Sequence, residues 1–263
     1  MRLEARDVSK TFGKAKHGVV AVNRVSVAVE PGDFVAIVGE SGSGKSTLAR
    51  MLLDLIERDP GDGSITLDGR DLRAMTRAEK QAYRRAVQCV LQDPSGSLNP
   101  RKTIRQSLTE VIRFHRIATR AREVEQTAIE VLAQVGLNPP ATYLDRFPHE
   151  LSGGQRQRVL IARAIVLRPK LIIADEAVSA LDVAVKAGVL NLMNEVRQDL
   201  GVGYVLITHD LPVVKKVATY VYVMRNGEVV EEGPKDAIFE APKHEYTRAL
   251  LDAAPDLDAA LAR

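Results

Sequence analysis

The sequence holds one cysteine, Cys89, so no disulfide can form within it. A reducing compartment suits such a chain. Cys89 lies in the apolar run 87–91, where a buried, inert thiol is expected. An excess of one charge sign is also missing. Thirty-seven basic residues stand against 34 acidic ones, a formal net charge of +3. That balance creates no strong field for nucleic acid, and no nucleic-acid partner is expected. No stretch reaches the roughly 20 apolar residues that span a bilayer. Residues 1–10 are charged and carry no signal-peptide core. A membrane role would therefore have to come through a partner. Internal repeats, low-complexity tracts and sustained heptads are absent as well, so no coiled-coil insertion is expected.

What is present is ordinary globular material: 263 residues, 45% hydrophobic and 27% charged, enough for one large α/β domain or two small ones. Residues 20–29 alternate apolar and polar, as a half-buried strand does. Continuous apolar runs at 33–38, 87–91, 171–174, 204–208 and 220–225 read as further strands. Residues 64–67 read as an edge strand, and Asn226-Gly227 as a hairpin turn before a strand at 228–232. Helical patterns cover 45–56, 103–137, 153–167 and 183–200, with Asn138-Pro139-Pro140 as a break. Strands alternating with helices predict an α/β fold with a mostly parallel sheet. The segment at about 93–165 reads as an inserted helical subdomain.

Gly39-Glu40-Ser41-Gly42-Ser43-Gly44-Lys45-Ser46 fits the P-loop pattern, with a buried strand before it and a helix after it. The glycines let backbone N–H groups converge on phosphate oxygens, and the helix N-terminus favours an anion. Lys45 is placed to reach the β- and γ-phosphates, the Ser46 hydroxyl to bind Mg²⁺, and Thr47 to complete the loop's grip. Leu171-Ile172-Ile173-Ala174-Asp175-Glu176 is an apolar strand ending in two carboxylates. An Asp at such a strand end holds Mg²⁺ in P-loop NTPases, which suits Asp175. Glu176 is then placed as the general base toward an attacking water. A P-loop alone does not choose between kinases, GTPases and ATPases, so a nucleoside triphosphate with Mg²⁺ is expected from these residues, and ATP is the one implied by the resemblance described next.

Leu151-Ser152-Gly153-Gly154-Gln155-Arg156-Gln157-Arg158 is a second glycine-rich helix start. Read alone, it could be a simple serine N-cap. After a complete P-loop, it resembles the signature of the ABC ATPases, and the resemblance extends over essentially the whole chain. It implies a P-loop NTPase core with an antiparallel β subdomain and a helical insertion. Residues 1–240 would form a single ATPase domain, with 241–263 as a short C-terminal extension. It also implies a head-to-tail dimer in which Ser152, Gly154 and Gln155 contact a nucleotide held on the partner's P-loop. Gln92 resembles the Q-loop glutamine, which contacts Mg²⁺ or water and senses the membrane partner. His209, in Ile207-Thr208-His209-Asp210, resembles the switch histidine. Ser179-Ala180-Leu181-Asp182 resembles the D-loop, with Asp182 near the shared nucleotide. Phe12 matches the aromatic that stacks on adenine, although it reads equally as a packing residue. Ala177 stands where most members have proline.

Two further segments resemble the peptide/nickel importer branch. They are Gln92–Arg101 and the tail Pro242-Lys243-His244-Glu245-Tyr246-Thr247-Arg248-Ala249-Leu250-Leu251, in which Glu245 replaces a proline. The tail also reads as an amphipathic helix. That branch implies two transmembrane permease subunits, a second ATPase chain, identical or related, and a periplasmic or extracellular solute-binding protein acting indirectly. The expected place is the cytoplasmic face of the inner membrane, held peripherally. Members with a cysteine-rich extension carry an iron–sulfur cluster; with no spare cysteine, none is expected here. An exporter-type ATPase, or a non-transport one in DNA repair, translation or assembly, is the alternative.

Overall fold

Two kinds of strand sequence occur along the chain, and they build two different sheets. The computed structural model describes residues 1–13, 18–91, 94–179 and 181–254. β1 (Leu3–Phe12) and β2 (Val19–Val29) mix buried and exposed positions and pair antiparallel. β3 (Phe34–Val38) is buried at every residue and leads through a glycine-rich loop into α1 (Lys45–Leu52). β4 (Ser64–Leu67) and the short β5 (Arg70–Asp71) complete a first sheet of order β2-β1-β4-β5. α2 (Arg77–Ala86) opens in a Thr76–Glu79 capping box and runs into β6 (Val87–Val90). The next described stretch is helical throughout: α3 (Pro94–Ser97), α4 (Ile104–Phe114), α5 (Ala121–Gln134), α6 (Ala141–Leu144) and α7 (Gly153–Ile165). β7 (Leu171–Asp175), α8 (Val183–Leu200), β8 (Gly203–Thr208), α9 (Leu211–Val217), β9 (Tyr220–Arg225) and β10 (Glu228–Pro234) follow. α10 (Lys235–Glu240) and α11 (Glu245–Asp252) close the described chain.

The second sheet has the order β10-β9-β3-β8-β7-β6, and every pair in it except β9–β10 is parallel. Its inner strands are mostly apolar because both faces are covered. Ile172, Ala174, Tyr204 and Leu206 pack with the helical segment and α8. Their neighbours Leu171, Ile173, Val205 and Ile207 point the other way, into a cluster shared with α1 and the antiparallel sheet. A third cluster joins Ala36, Val38, Val221 and Val223 to α9, α10 and α11. Parallel pairing sends the C-terminal ends of β3, β7 and β8 to one edge, with Val38 opposite Thr208 and Asp175 opposite Ile207. That edge is where α/β sheets place ligands.

Two local expectations change, and β1 was not anticipated. Residues 64–67 form an inner strand, because β5 pairs along the far side. α1 ends at Leu52 rather than at 56, and Asp54 beyond it takes a left-handed φ of 54°. β1 escapes the alternation rule. Leu3, Ala5 and Val8 are buried, but Asp7 at φ 48° bulges the strand and shifts the register between Ala5 and Val8. Cys89 is half-buried, and burial raises its thiol pKa. Among the described residues, no helix is long and apolar enough to cross a membrane.

Candidate functional site

The loop from Gly39 to Gly44 is wedged between two strands, which explains its glycines. A Cβ on Gly39 (φ 149°) would lie 2.1 Å from the Met224 carbonyl oxygen of β9. A Cβ on Gly44 (φ 100°) would lie 2.1 Å from the Ala21 carbonyl oxygen of β2. Gly42 has open space around it but a φ of 82°, so conformation rather than crowding selects glycine there. The Gly227 N–H donates to the Ser43 carbonyl at 3.0 Å, tying the β9–β10 hairpin to the loop.

Lys45 begins α1 and is only 5% exposed. Its Nζ donates to the carbonyls of Gly39 (2.8 Å) and Glu40 (2.7 Å) and to Ser43 Oγ (3.2 Å). Burial lowers its pKa below the ordinary lysine value, while Glu176, Asp175 and Glu40 oppose the shift. Ser46 Oγ donates to Asp175 Oδ1 at 3.0 Å. Burial raises the Asp175 pKa and Glu176 adds to the rise, against the Ser46 hydrogen bond and the cations Arg50 and Lys45. Thr47 follows on the first turn of α1, partly exposed.

Glu176 stands just past β7 with a left-handed φ of 48°, and its N–H donates to the Ile207 carbonyl at 2.9 Å. A non-glycine residue in that region stores roughly 1–3 kcal/mol of strain. Its carboxylate is 3.3 Å from His209 Nδ1. His209 follows β8 beside Asp210, which caps α9 and pairs with Lys186 of α8. Ala177 is buried among the residues of the helical cluster.

The second glycine pair has a packing role that the sequence did not reveal. Ser152 caps α7: its Oγ accepts the Gln155 N–H at 3.2 Å, and Gln155 Oε1 accepts the Ser152 N–H at 3.0 Å. A Cβ on Gly154 would lie 2.3 Å from Val185 Cγ1, so the glycine allows α7 and α8 to touch. Asp182 caps α8 by accepting the Val185 N–H at 3.0 Å. Among the described residues, no hydrogen bond or ion pair joins Ser152, Gly154, Gln155 or Asp182 to the P-loop.

Phe12 ends β1 with 45% of its surface exposed, and the Lys10 ammonium lies 5.6 Å from its ring centroid. It pairs with Val19, two residues before the Ala21 carbonyl that abuts Gly44. The exposed Val19 opposite it extends this apolar surface, and sequence reasoning missed it. Gln92, placed at the site by sequence, lies outside the described residues, as does Ala180 of the expected D-loop. Another contact was missed. The Glu40 N–H donates to the Tyr246 hydroxyl at 3.1 Å, bringing α11 to the loop.

The chain is also similar to known proteins in family and fold. Residues 22–179 match the family model described as ABC transporter, and residues 230–263 the oligopeptide/dipeptide transporter C-terminal region. The glutathione import ATP-binding protein GsiA of Pectobacterium atrosepticum is 46% identical over 95% of this chain and 39% of its own length. The chain thus spans well under half of that relative. The probable peptide ABC transporter ATP-binding protein y4tS of Sinorhizobium fredii is 48% identical, over 93% of this chain and 68% of its own. The ATP-binding cassette MJ0796, solved as a post-hydrolysis dimer bound to ADP and Pi, superposes with a TM-score of 0.76. It is 28% identical, over 89% of this chain and 98% of its own. cbiO1 from Clostridium perfringens, part of the ABC transporter complex cbiONQ, gives 0.78 at 25% identity, over 91% and 90%.

Proposed function

The chain belongs to the ABC transporter family, and from that premise we propose that it hydrolyses ATP to energise an importer of peptides or a related small solute. One observation carries this reading. The P-loop, Ser46, Asp175, Glu176 and His209 stand in one connected line at the C-terminal edge of the parallel sheet.

Each side chain then has a chemical task. The loop N–H groups and the α1 N-terminus hold the phosphates. Lys45 keeps the loop closed through two carbonyls and adds positive charge beside it. Ser46 Oγ and Asp175 Oδ1, 3.0 Å apart, are the hard oxygen donors that suit Mg²⁺. Among the described residues, no cluster of three or more metal-binding side chains exists. That fits an ion which takes one or two protein oxygens and completes its shell with phosphate and water. Bound Mg²⁺ would neutralise charge on the transferred phosphoryl group. Glu176 takes the proton of the attacking water, and His209 orients its carboxylate across 3.3 Å. Phe12, with Val19 paired beside it, offers the stacking surface for adenine.

The signature residues face a second cassette. Ser152 and Asp182 are exposed at helix starts, with Val183 67% exposed beside them, and none reaches this chain's own P-loop. A head-to-tail partner, identical or related, would bring its nucleotide to them. Residues 1–240 act as the cassette, with the helical part inserted at about 93–165 and residues 241–263 as an extension. A short permease helix docks where α2 of the core meets the end of α4. There Arg77, Lys80, Gln81, Arg84 and His115 surround Phe114, which is 74% exposed, in a groove of about 570 Å³. The cassette sits peripherally on the cytoplasmic face of the membrane, and a solute-binding protein delivers cargo to the permeases. The match at residues 230–263 and the peptide and glutathione transport named for the relatives support a peptide-type solute.

The direct test is steady-state ATP hydrolysis by the purified chain and by Glu176→Gln. Losing the base should cut turnover roughly 10²–10⁴-fold while nucleotide still binds. Near-normal turnover in the variant would remove Glu176 from the mechanism.

A further inference from the structure

The P-loop is also held from the side of α11. α11 is fixed at its start by Glu231, whose carboxylate accepts the N–H groups of Lys243 (2.7 Å) and His244 (3.0 Å). His244 Nδ1 then accepts the Tyr246 N–H at 3.1 Å, capping the helix. These contacts deliver the Tyr246 ring, 6% exposed, into the cluster formed by Ala36, Val38, Val221 and Val223. The Arg225 guanidinium lies 4.7 Å from the ring centroid. Arg225 belongs to the same hairpin that presses Met224 against Gly39 and bonds Gly227 to Ser43. At the far end of the ring, the hydroxyl accepts the Glu40 N–H at 3.1 Å. The Glu40 carbonyl in turn accepts Lys45 Nζ at 2.7 Å. One loop residue is thus gripped at both ends, by Tyr246 on its N–H and by Lys45 on its carbonyl.

We propose that Tyr246 is a positioning residue for the P-loop, and that residues 242–252 couple to nucleotide binding through its hydrogen bond to Glu40. The inference rests on reading the loop as the nucleotide site. A loop with left-handed glycines at 39, 42 and 44 has little conformational preference of its own. A brace that raises the fraction of loops in the binding shape raises apparent affinity by the same factor. By reciprocity, bound nucleotide must tighten the docking of α11.

Tyr246→Phe keeps the ring and its packing and removes only the hydroxyl. One hydrogen bond of ordinary strength corresponds to a change of about 2- to 10-fold in an equilibrium. The expected result is a rise of about fivefold in the Kd of the intact chain for a fluorescent ATP analogue and in its KM for ATP, with kcat unchanged. A variant that loses thermal stability but keeps the wild-type Kd and KM would overturn the proposal, because packing alone predicts that pattern. The unaltered chain gives a second test by amide hydrogen exchange. Saturating ATP should slow exchange at Glu40 and across residues 245–252 by about the same fivefold factor. No change across residues 245–252, in a chain that binds the analogue, would overturn the coupling. A wild-type chain that fails to bind the analogue would overturn the underlying reading of the loop instead.

Discussion

Gly154→Ala tests whether the second glycine is a packing device as well as a backbone donor. The new Cβ would sit 2.3 Å from Val185 Cγ1, with Val185 Cβ at 3.7 Å and Cγ2 at 4.0 Å. Carbon atoms rest at about 3.5–4.0 Å, so one contact is short by about 1.2–1.7 Å while the other two are ordinary. Relief requires either a new χ1 for Val185, which a β-branched residue in a helix resists, or a parting of α7 from α8. Overpacking of this kind costs about 1–3 kcal/mol. Alanine's helix preference over glycine offsets at most about 1 kcal/mol of that. With that offset in full, the net expectation is a loss of up to about 2 kcal/mol, or up to about 8 °C in Tm for a chain of this size. Val185→Ala deletes the offending methyl, so the cost of Gly154→Ala should shrink by at least about 1 kcal/mol in that background. Thermal or urea unfolding of the four chains of this cycle, without nucleotide, measures the coupling. Strict additivity would refute the close-approach argument. An additive result would also leave Gly154 without a steric reason to be glycine.

Asp175→Asn should raise the Tm of the nucleotide-free chain and abolish Mg²⁺-dependent hydrolysis. The folded pKa lies above the ordinary value because of burial. Between those two values the folded chain therefore holds a proton that the unfolded chain lacks, and stability falls as pH rises through that window. A lowered Tm in the asparagine variant would contradict this sign. Phe12→Ala should weaken ATP binding about tenfold, equivalent to roughly 1.4 kcal/mol of lost stacking, without changing kcat. An unchanged Kd would assign Phe12 to packing alone.

Much of the site was legible because its chemistry is local. The loop from Gly39 to Ser46, the strand ending in Asp175 and Glu176, and Ser152 with its glycines are contiguous segments whose residue types state their task. The parallel strands were equally legible, since burial on both faces leaves continuous apolar runs such as 34–38 and 171–174. β1 was not, because the bulge at Asp7 breaks the alternation that marks a half-buried strand. Contacts between distant segments left no trace. Nothing in the sequence brings Tyr246 to Glu40, Val185 to Gly154 or Lys186 to Asp210, pairs that only the assembled fold creates. Gly154 illustrates the limit. Its residue type was read as an anion-binding feature, and the structure adds a steric reason that pattern alone could not supply.

Two such cassettes should close around ATP, each P-loop facing the other's Ser152. Sedimentation of the Glu176→Gln chain with ATP tests it most directly. Blocked hydrolysis should leave the nucleotide trapped, and the chain should shift from monomer to dimer only when ATP is present. Adding Ser152→Arg puts a bulky cation where the partner's γ-phosphate must dock. That double variant should still bind ATP on its own P-loop yet remain a monomer. A dimer that forms equally well with Ser152→Arg, or forms without ATP, would contradict the sandwich.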